Sequence, residues 1–435
     1  VLDWLRMLYS HLSYAVRFQG QTSEEAFGAA AGILIGDPAS PILWLLFISD
    51  FDLPPDPSDL TLDGTPITHQ WLADDSMLVS TQTRAAQAKL DYFEQYCGDN
   101  SLTPSVPKTY AALYGPVPDP PPVLTLQRKP LVWVESAVYT GVTVTSTARN
   151  IFKLHYVAKE KAARKVANGA LALSQFIGPI PPSIALRMFH ALVEPHLTYG
   201  CEVCLDVQPS ALEPLEKVEV AFLRRVLALG THSQLAPLYL ETGIWPLRYR
   251  RLSLALRYLL YTLTDGPDYL RAAFRESFSL ANRSPALGGP ASSWWSDLYL
   301  VLSTLPVPIQ TLPLDEFPTP ESIRQCLRQL ECSLFEAFTG TVEAAIRLPT
   351  QLARLRRPRP PSTLTALCTL QPYLSLPNAR LRDALVRLAC SEHPLAVEAL
   401  RRLPEGDGVP REWRACRFCR RRGTVEDEPH VLLYC

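Results

Sequence analysis

Apolar positions recur along this chain with two periods, helical at both ends of its first third and strand-like in between. Leu2, Leu5, Leu8 and Leu12 open at helical spacing and predict a helix from Leu2 to Phe18. Ile33 to Phe51 reads as a second helix. It begins after Gly36-Asp37-Pro38, where Asp37 or Ser40 is placed to cap it and Pro38 or Pro41 falls in its first turn. The period then changes. In Trp71-Leu72-Ala73-Asp74-Asp75-Ser76-Met77-Leu78-Val79-Ser80 two short apolar runs flank adjacent carboxylates and read as the strands of a hairpin. Ala85, Ala88, Leu90, Phe93 and Tyr96 restore helical spacing over Ala85 to Cys97, and Leu131 to Val134 and Val138 to Val144 read as further strands. From Phe152 onward strand signals nearly vanish. Leu186 to Leu197 and Leu212 to Leu229 are the clearest helices there, the second with Leu212, Leu215, Val218, Phe222, Val226 and Leu229 on one face.

This order predicts an α+β chain in four parts: a mixed region over 1–150, a helical region over 151–285, a helical extension over 286–410 and a cysteine-bearing segment over 411–435. Punctuation supports the divisions. Pro116 to Pro122 is too proline-rich for helix or central strand, and Ser284 to Ser293 and Pro306 to Pro320 are rich in breakers. No repeat of fixed period is visible.

Composition narrows the picture. With 435 residues, 47% hydrophobic and 20% charged, the chain has the makings of two or three globular domains. Forty prolines predict short helices and stiff connections. The net charge of −1 announces no nucleic-acid partner, but two basic runs stand out locally. One is Lys153, Lys159, Lys161, Arg164 and Lys165; the other is Arg401, Arg402, Arg411, Arg414, Arg417, Arg420, Arg421 and Arg422. The longest apolar stretch, Ile42 to Ile48, is too short to span a bilayer and no signal peptide is visible, so a soluble intracellular protein with no membrane partner is expected. Ten dispersed cysteines fit a reducing compartment, where metal binding is their special use. The chain starts on Val1 in mid-pattern, as a piece of a longer reading frame would.

Two constellations carry candidate chemistry. Asp74 and Asp75 repel one another in a turn that Asn-Gly or Asp-Gly would close better, and a divalent metal such as Mg²⁺ removes the conflict. Near the C-terminus, Cys416-x2-Cys419-x10-His430-x4-Cys435 supplies four soft or borderline ligands in two close pairs, the number that tetrahedral Zn²⁺ requires. Arg420, Arg421 and Arg422 between the pairs would give this knuckle a phosphate-binding surface. Cys201-x-x-Cys204 has no nearby partners and reads as buried thiols.

Motif order adds a resemblance. Gly36-Asp37-Pro38-Ala39-Ser40-Pro41 leading into Leu43-Trp44-Leu45-Leu46-Phe47 is followed by Ala73-Asp74-Asp75, then by Lys89 to Cys97, Ser105-Val106-Pro107-Lys108-Thr109 and Tyr139-Thr140-Gly141-Val142. Over roughly residues 1 to 230 this order and spacing resemble the palm and thumb of reverse transcriptases from non-LTR (LINE-type) retrotransposons, and the terminal cysteines resemble a zinc segment found after them. The resemblance implies a partial palm, an antiparallel sheet with packed helices, followed by an all-helical thumb. It implies RNA-directed DNA polymerase chemistry: two metals activate a primer hydroxyl and neutralise the departing pyrophosphate. Asp74 and Asp75 would hold Mg²⁺ and Lys108 would meet the phosphates or protonate the leaving group. Gly36, Asp37 and Ser40 would face template or nucleotide, and Tyr139 and Gly141 would grip the primer. RNA template, DNA primer and deoxynucleoside triphosphates are the implied partners. The chain also departs from the pattern. Ile35 stands for the family's Gln, Leu72 for its aromatic, Ser105 for its Asn and Thr140 for its Leu. A further metal-binding Asp belongs on a strand before the first helix here, so the chain as given is expected not to polymerise. The alternative expectation is a noncatalytic nucleic-acid-binding remnant of such an element.

Overall fold

The computed structural model describes residues 2–26, 28, 32–34, 36–116, 118–148, 150–345, 347–401, 408–421 and 423–435. The chain is α+β, rich in helices, and its strands form six two-stranded sheets among the described residues rather than one larger sheet. It divides into two compact units. The first comprises Val1–Thr61, Pro66–Tyr110 and Pro120–Val132; the second comprises Leu62–Thr65, Ala111–Asp119 and Trp133–Cys435.

In the first unit, α1 covers Leu2–Ser10 and stops well short of the expected Phe18. Arg17–Phe18 (β1) instead pairs with Gln21–Thr22 (β2) across a Gln19-Gly20 turn, both of whose residues have positive φ. The second helix is also shorter than expected. α2 covers Ser40–Phe47, because Gly36 at φ +88° and Pro38 delay regular helix until the chain has passed them. Neither Asp37 nor Ser40 caps it through a side chain; Ala39 is its N-cap. After the short β3 (Leu60–Leu62) and β4 (Thr65–Ile67) come β5 (His69–Leu72) and β6 (Asp75–Leu78), the expected hairpin, with Leu72 opposite Asp75. α3 runs over Thr83–Asp99. Its aromatic face meets the hairpin at Phe51, whose ring lies 5.0 Å from Trp71, 6.0 Å from Phe93 and 4.9 Å from Tyr96, mostly edge-on. Beneath the same helix Lys89 is buried in an ion pair with Asp59 and donates to the carbonyls of Val79 and Thr68. Those carbonyls belong to the two residues that flank the hairpin, so one ammonium clamps its open end.

Past β7 (Tyr110–Ala111), β8 (Thr125–Leu126), β9 (Lys129–Pro130) and β10 (Val132–Trp133), the second unit begins its main body with a hairpin. The strand expected over Val138 to Val144 is two strands, β11 (Ser136–Tyr139) and β12 (Val142–Thr145), turning at Thr140-Gly141. Helices then follow from Lys153 to Ala399. α4 (Lys153–Ala172) packs on the helix Pro209–Val226, and the helix Leu247–Thr264 on the helix Pro320–Ala344. The helices share one apolar core that runs from Tyr156 through Phe189, Phe222, Leu256 and Trp295 to Leu330, Leu374 and Cys390. The helix expected over Leu186 to Leu197 is interrupted. Between the helices Pro182–Met188 and Glu194–Thr198 the turn Phe189–Val193 widens to π spacing, just ahead of Pro195, whose ring would otherwise press on the carbonyl four residues earlier. The breaker-rich stretch 284–293 holds only a short 3₁₀ turn, Pro285–Leu287, before the capping box of Ser293 and Ser296 starts a helix at Trp294.

Candidate metal centre

The C-terminal ligands are brought together by backbone that the sequence sets up locally. Ala415 bridges Val425 antiparallel and the Cys416 N–H donates to the Thr424 carbonyl at 3.0 Å, which pairs the two arms of a small hairpin. Arg420 at φ +53° and Gly423 at φ +78° turn the chain back between the arms. Asp427 then accepts from the His430 N–H at 3.0 Å and opens the helical turn His430–Tyr434, which leads from the third ligand to the fourth. As a result the ligand atoms of Cys416, Cys419, His430 and Cys435 all lie within 4.8 Å of one another. Cys416 Sγ is 3.9 Å from Cys435 Sγ, and Cys419 Sγ is 3.2 Å from His430 Nε2. Tetrahedral zinc with Zn–S bonds near 2.3 Å sets its sulfurs roughly 3.8 Å apart, so the donor set and its spacing fit.

Electrostatics favours a cation here. The Arg421 backbone N–H, helped by Thr424 and His430, holds the Cys419 thiol down to about 6, whereas desolvation and the neighbouring Cys416 and Cys419 push Cys435 up to about 11. Crowded thiols oppose one another's ionisation, and a bound metal relieves that. Among the described residues this is the one cluster of three or more Cys, His, Asp or Glu ligand atoms.

A buried carboxylate anchors the site. Glu426 is fully buried and accepts from the Ala396 N–H at 2.9 Å, from the Arg417 N–H at 2.8 Å and from the Arg417 guanidinium at 2.6 Å. Those bonds, Arg417 first, hold its carboxyl down to about 2. Two residues on, Glu428 accepts from His393 Nε2 at 2.8 Å, and Arg414 donates to the carbonyls of Val409 and Val397. The knuckle is therefore sewn to the segment around Ala396–Ala399. Spacing of the ligands gave no hint of this; the acidic run Glu426-Asp427-Glu428 inside the ligand span was the one available signal.

At the Asp-Asp hairpin, Asp74 occupies the two-residue turn and Asp75 begins β6; both are exposed, and neither carboxylate has a side-chain partner among the described residues. Ala73 at φ +53° occupies a turn position that usually takes glycine. Its carbonyl accepts from Trp44 Nε1 of α2, so the segment after Gly36-Asp37-Pro38 is bonded directly to the Asp-Asp turn. Gly36 is exposed and Asp37 half-buried, while the buried Ser40 hydroxyl donates to the Leu34 carbonyl at 2.6 Å. Lys108 is exposed in the 3₁₀ turn Val106–Lys108. Tyr139 is half-buried and Gly141 closes its hairpin at φ +77°. A Cβ on Gly141 would lie 2.6 Å from the Tyr199 hydroxyl, which donates to the Thr140 carbonyl, so Gly141 has a packing role as well as a turn role. Cys201 and Cys204 are buried, burial pushes the Cys204 thiol up to about 12, and their loop wraps the buried Arg251–Asp206 pair. In the first basic run Lys159 lies 3.7 Å over the Tyr199 ring and Arg164 pairs with Glu160, while Lys153, Lys161 and Lys165 remain exposed. Ile35, Arg402 and Arg422 lie outside the described residues. No helix among the described residues is long and apolar enough to cross a membrane.

Compared with known proteins, the chain matches no family model and no curated protein.

Proposed function

We propose that this chain is the nucleic-acid-handling part of a LINE-type reverse transcriptase, holding RNA template and DNA primer, with Mg²⁺ at Asp74 and Asp75 and structural Zn²⁺ at the C-terminal knuckle. The observation that carries the reading is the bond from Trp44 to Ala73. It joins the Gly36-Asp37-Pro38 segment to a turn whose two carboxylates face solvent with no side-chain partner among the described residues, an arrangement that leaves them open to a cation. Gly36, Asp37, Ser40, Lys108, Tyr139 and Gly141 keep the roles that motif order suggests for them, as part of the same proposal.

Iron-directed cleavage tests the carboxylate half without requiring turnover. Fe²⁺ substituted for Mg²⁺ and treated with ascorbate and peroxide in the presence of a primer–template duplex is expected to cut the chain near residues 70–78, with protection by excess Mg²⁺ and loss of cutting in Asp74→Asn/Asp75→Asn. Cutting elsewhere, or equal cutting in that variant, would remove Mg²⁺ from the proposal. A noncatalytic nucleic-acid-binding remnant is the second reading. It is favoured by one contrast: four gathered ligands at the knuckle against two at the turn.

A further inference from the structure

A cavity of about 280 Å³ lies in the second unit, lined by residues of the π turn Phe189–Val193, the helix Pro209–Val226 and the helix Leu247–Thr264. Its volume is at the small end for ligand sites, and π turns are frequent at such sites. Phe189, Ile244, Trp245 and Leu247 give it an apolar wall. One group in that wall is acidic. Glu219 is only 2% exposed; its Oε2 accepts from the Tyr239 hydroxyl and from the Leu247 N–H, each at 3.1 Å, and its Oε1 has no partner among the described residues. Ser253 lines the same cavity, is 3% exposed, and its hydroxyl likewise has no partner among the described residues. The cations around Glu219 are committed elsewhere. Arg224 bonds Ser233, Arg248 faces Glu216, Arg250 and His190 bond Glu194, and Arg251 pairs with Asp206. Arg257 and Glu331 also line the cavity, but both are exposed to solvent. Burial therefore pushes the Glu219 carboxyl up to about 8 against the two bonds it accepts, with Glu216 and Glu194 adding to the push, and its neutral form prevails at pH 7.

We propose that this cavity binds a small organic amine, its ammonium group bonded to Glu219 Oε1 and Ser253 Oγ and its apolar body lying against Trp245 and Phe189. A primary ammonium brings three donors to a cavity that holds two unpartnered acceptors, and the aromatic rings add cation–π attraction. An anion is matched less well. It would meet three carboxyl groups against two guanidinium groups, of which Arg250 is already bonded to Glu194. On binding, the Glu219 proton leaves to solvent and the carboxylate so formed pairs with the ammonium, so neither charge is left alone in the cavity. The proposal is independent of the nucleic-acid reading above.

Isothermal titration of the full chain with phenethylamine tests it, with phenethyl alcohol and phenylacetate as the uncharged and anionic counterparts. The amine is expected to bind about tenfold or more tighter than either counterpart. Repeated at pH 7 in two buffers of different ionisation enthalpy, the titration is expected to show about one proton released for each amine bound. Glu219→Gln keeps both accepted bonds through its amide oxygen and removes the charge. That variant is expected to fold, to lose about tenfold or more in amine affinity, and to release no proton. Circular dichroism checks its fold; if it does not fold, the probe comparison and the proton count on the wild-type chain decide alone. Binding of the alcohol or the carboxylate as tight as that of the amine would overturn the proposal. So would amine binding without proton release, unchanged amine affinity in folded Glu219→Gln, or no measurable binding of the amine.

Discussion

The Asp74–Asp75 turn, proposed here for Mg²⁺, and the Cys416–Cys435 knuckle, whose four side chains are gathered as a metal would need them, are supported at different distances from their candidate ligands. At the knuckle the support reaches the ligands themselves: an antiparallel bridge beside Cys416, the Asp427 cap on His430 and buried Glu426 on the residue after Cys416. At the turn the support stops short. Lys89 clamps the far end of the hairpin and Trp44 holds Ala73, but the carboxylates stand free. A structural ion is matched by ligands that are gathered before it arrives. A catalytic Mg²⁺ keeps several waters and shares its ligands with substrate phosphates, so loosely held carboxylates suit it.

Metal removal should give the largest difference between the two. One equivalent of zinc is expected per chain, and Cys419→Ser should reduce it to near zero; binding of this kind is worth about 10–16 kcal/mol in small zinc modules, so chelation should lower the knuckle's melting temperature while its backbone bonds and Glu426 keep it folded at room temperature. Zinc content by mass spectrometry under native conditions decides it, and full zinc retention in Cys419→Ser would break the comparison at once. Next in size is Lys89→Ala, which leaves Asp59 buried and unpaired and should cost about 3–5 kcal/mol in urea unfolding of the first unit. A loss below about 1 kcal/mol would mean that the hairpin is not clamped as described.

Glu426→Gln should cost less, about 1–2 kcal/mol, because the Arg417 guanidinium is solvent-exposed and its bond is screened. The pH dependence has a defined sign. Glu426 is depressed in the folded state, so its contribution is complete above its unfolded value near 4.5 and is lost as pH falls through about 2. Trp413 fluorescence of the metal-free chain should report an acid transition in that window, absent from Glu426→Gln. Smallest of all, Asp74→Asn should change thermal stability by less than about 0.5 kcal/mol, since its carboxylate is exposed and unpartnered. A stabilisation much above that figure would show that the two carboxylates repel strongly, and would strengthen the case for a cation between them.

Local pattern made the Asp-Asp hairpin, the helix after it and the four-ligand knuckle legible in the sequence, since all three rest on short-range spacing. Lengths of elements were less legible, because turns competed with periodicity. Gln19-Gly20 and Thr140-Gly141 fold their flanking residues into hairpins without the Asn-Gly or Asp-Gly signal that would have marked them. Lys89 was hidden for another reason. It lies one turn after Ala85 on the buried face, and its partner Asp59 is thirty residues earlier, where no local pattern points to it. Glu426 was hidden in the same way, its partner Ala396 N–H lying thirty residues upstream.

The bridge between Ala415 and Val425 also bears on how tightly the knuckle would take an ion. Cys419 and His430 are separated by ten residues, and in a loose chain an ion binding both would have to close that loop against its entropy. Here backbone hydrogen bonds and Glu426 have closed it already. An ion binding here would meet ligands already gathered, so more of its coordination energy would go into affinity and less into ordering the chain.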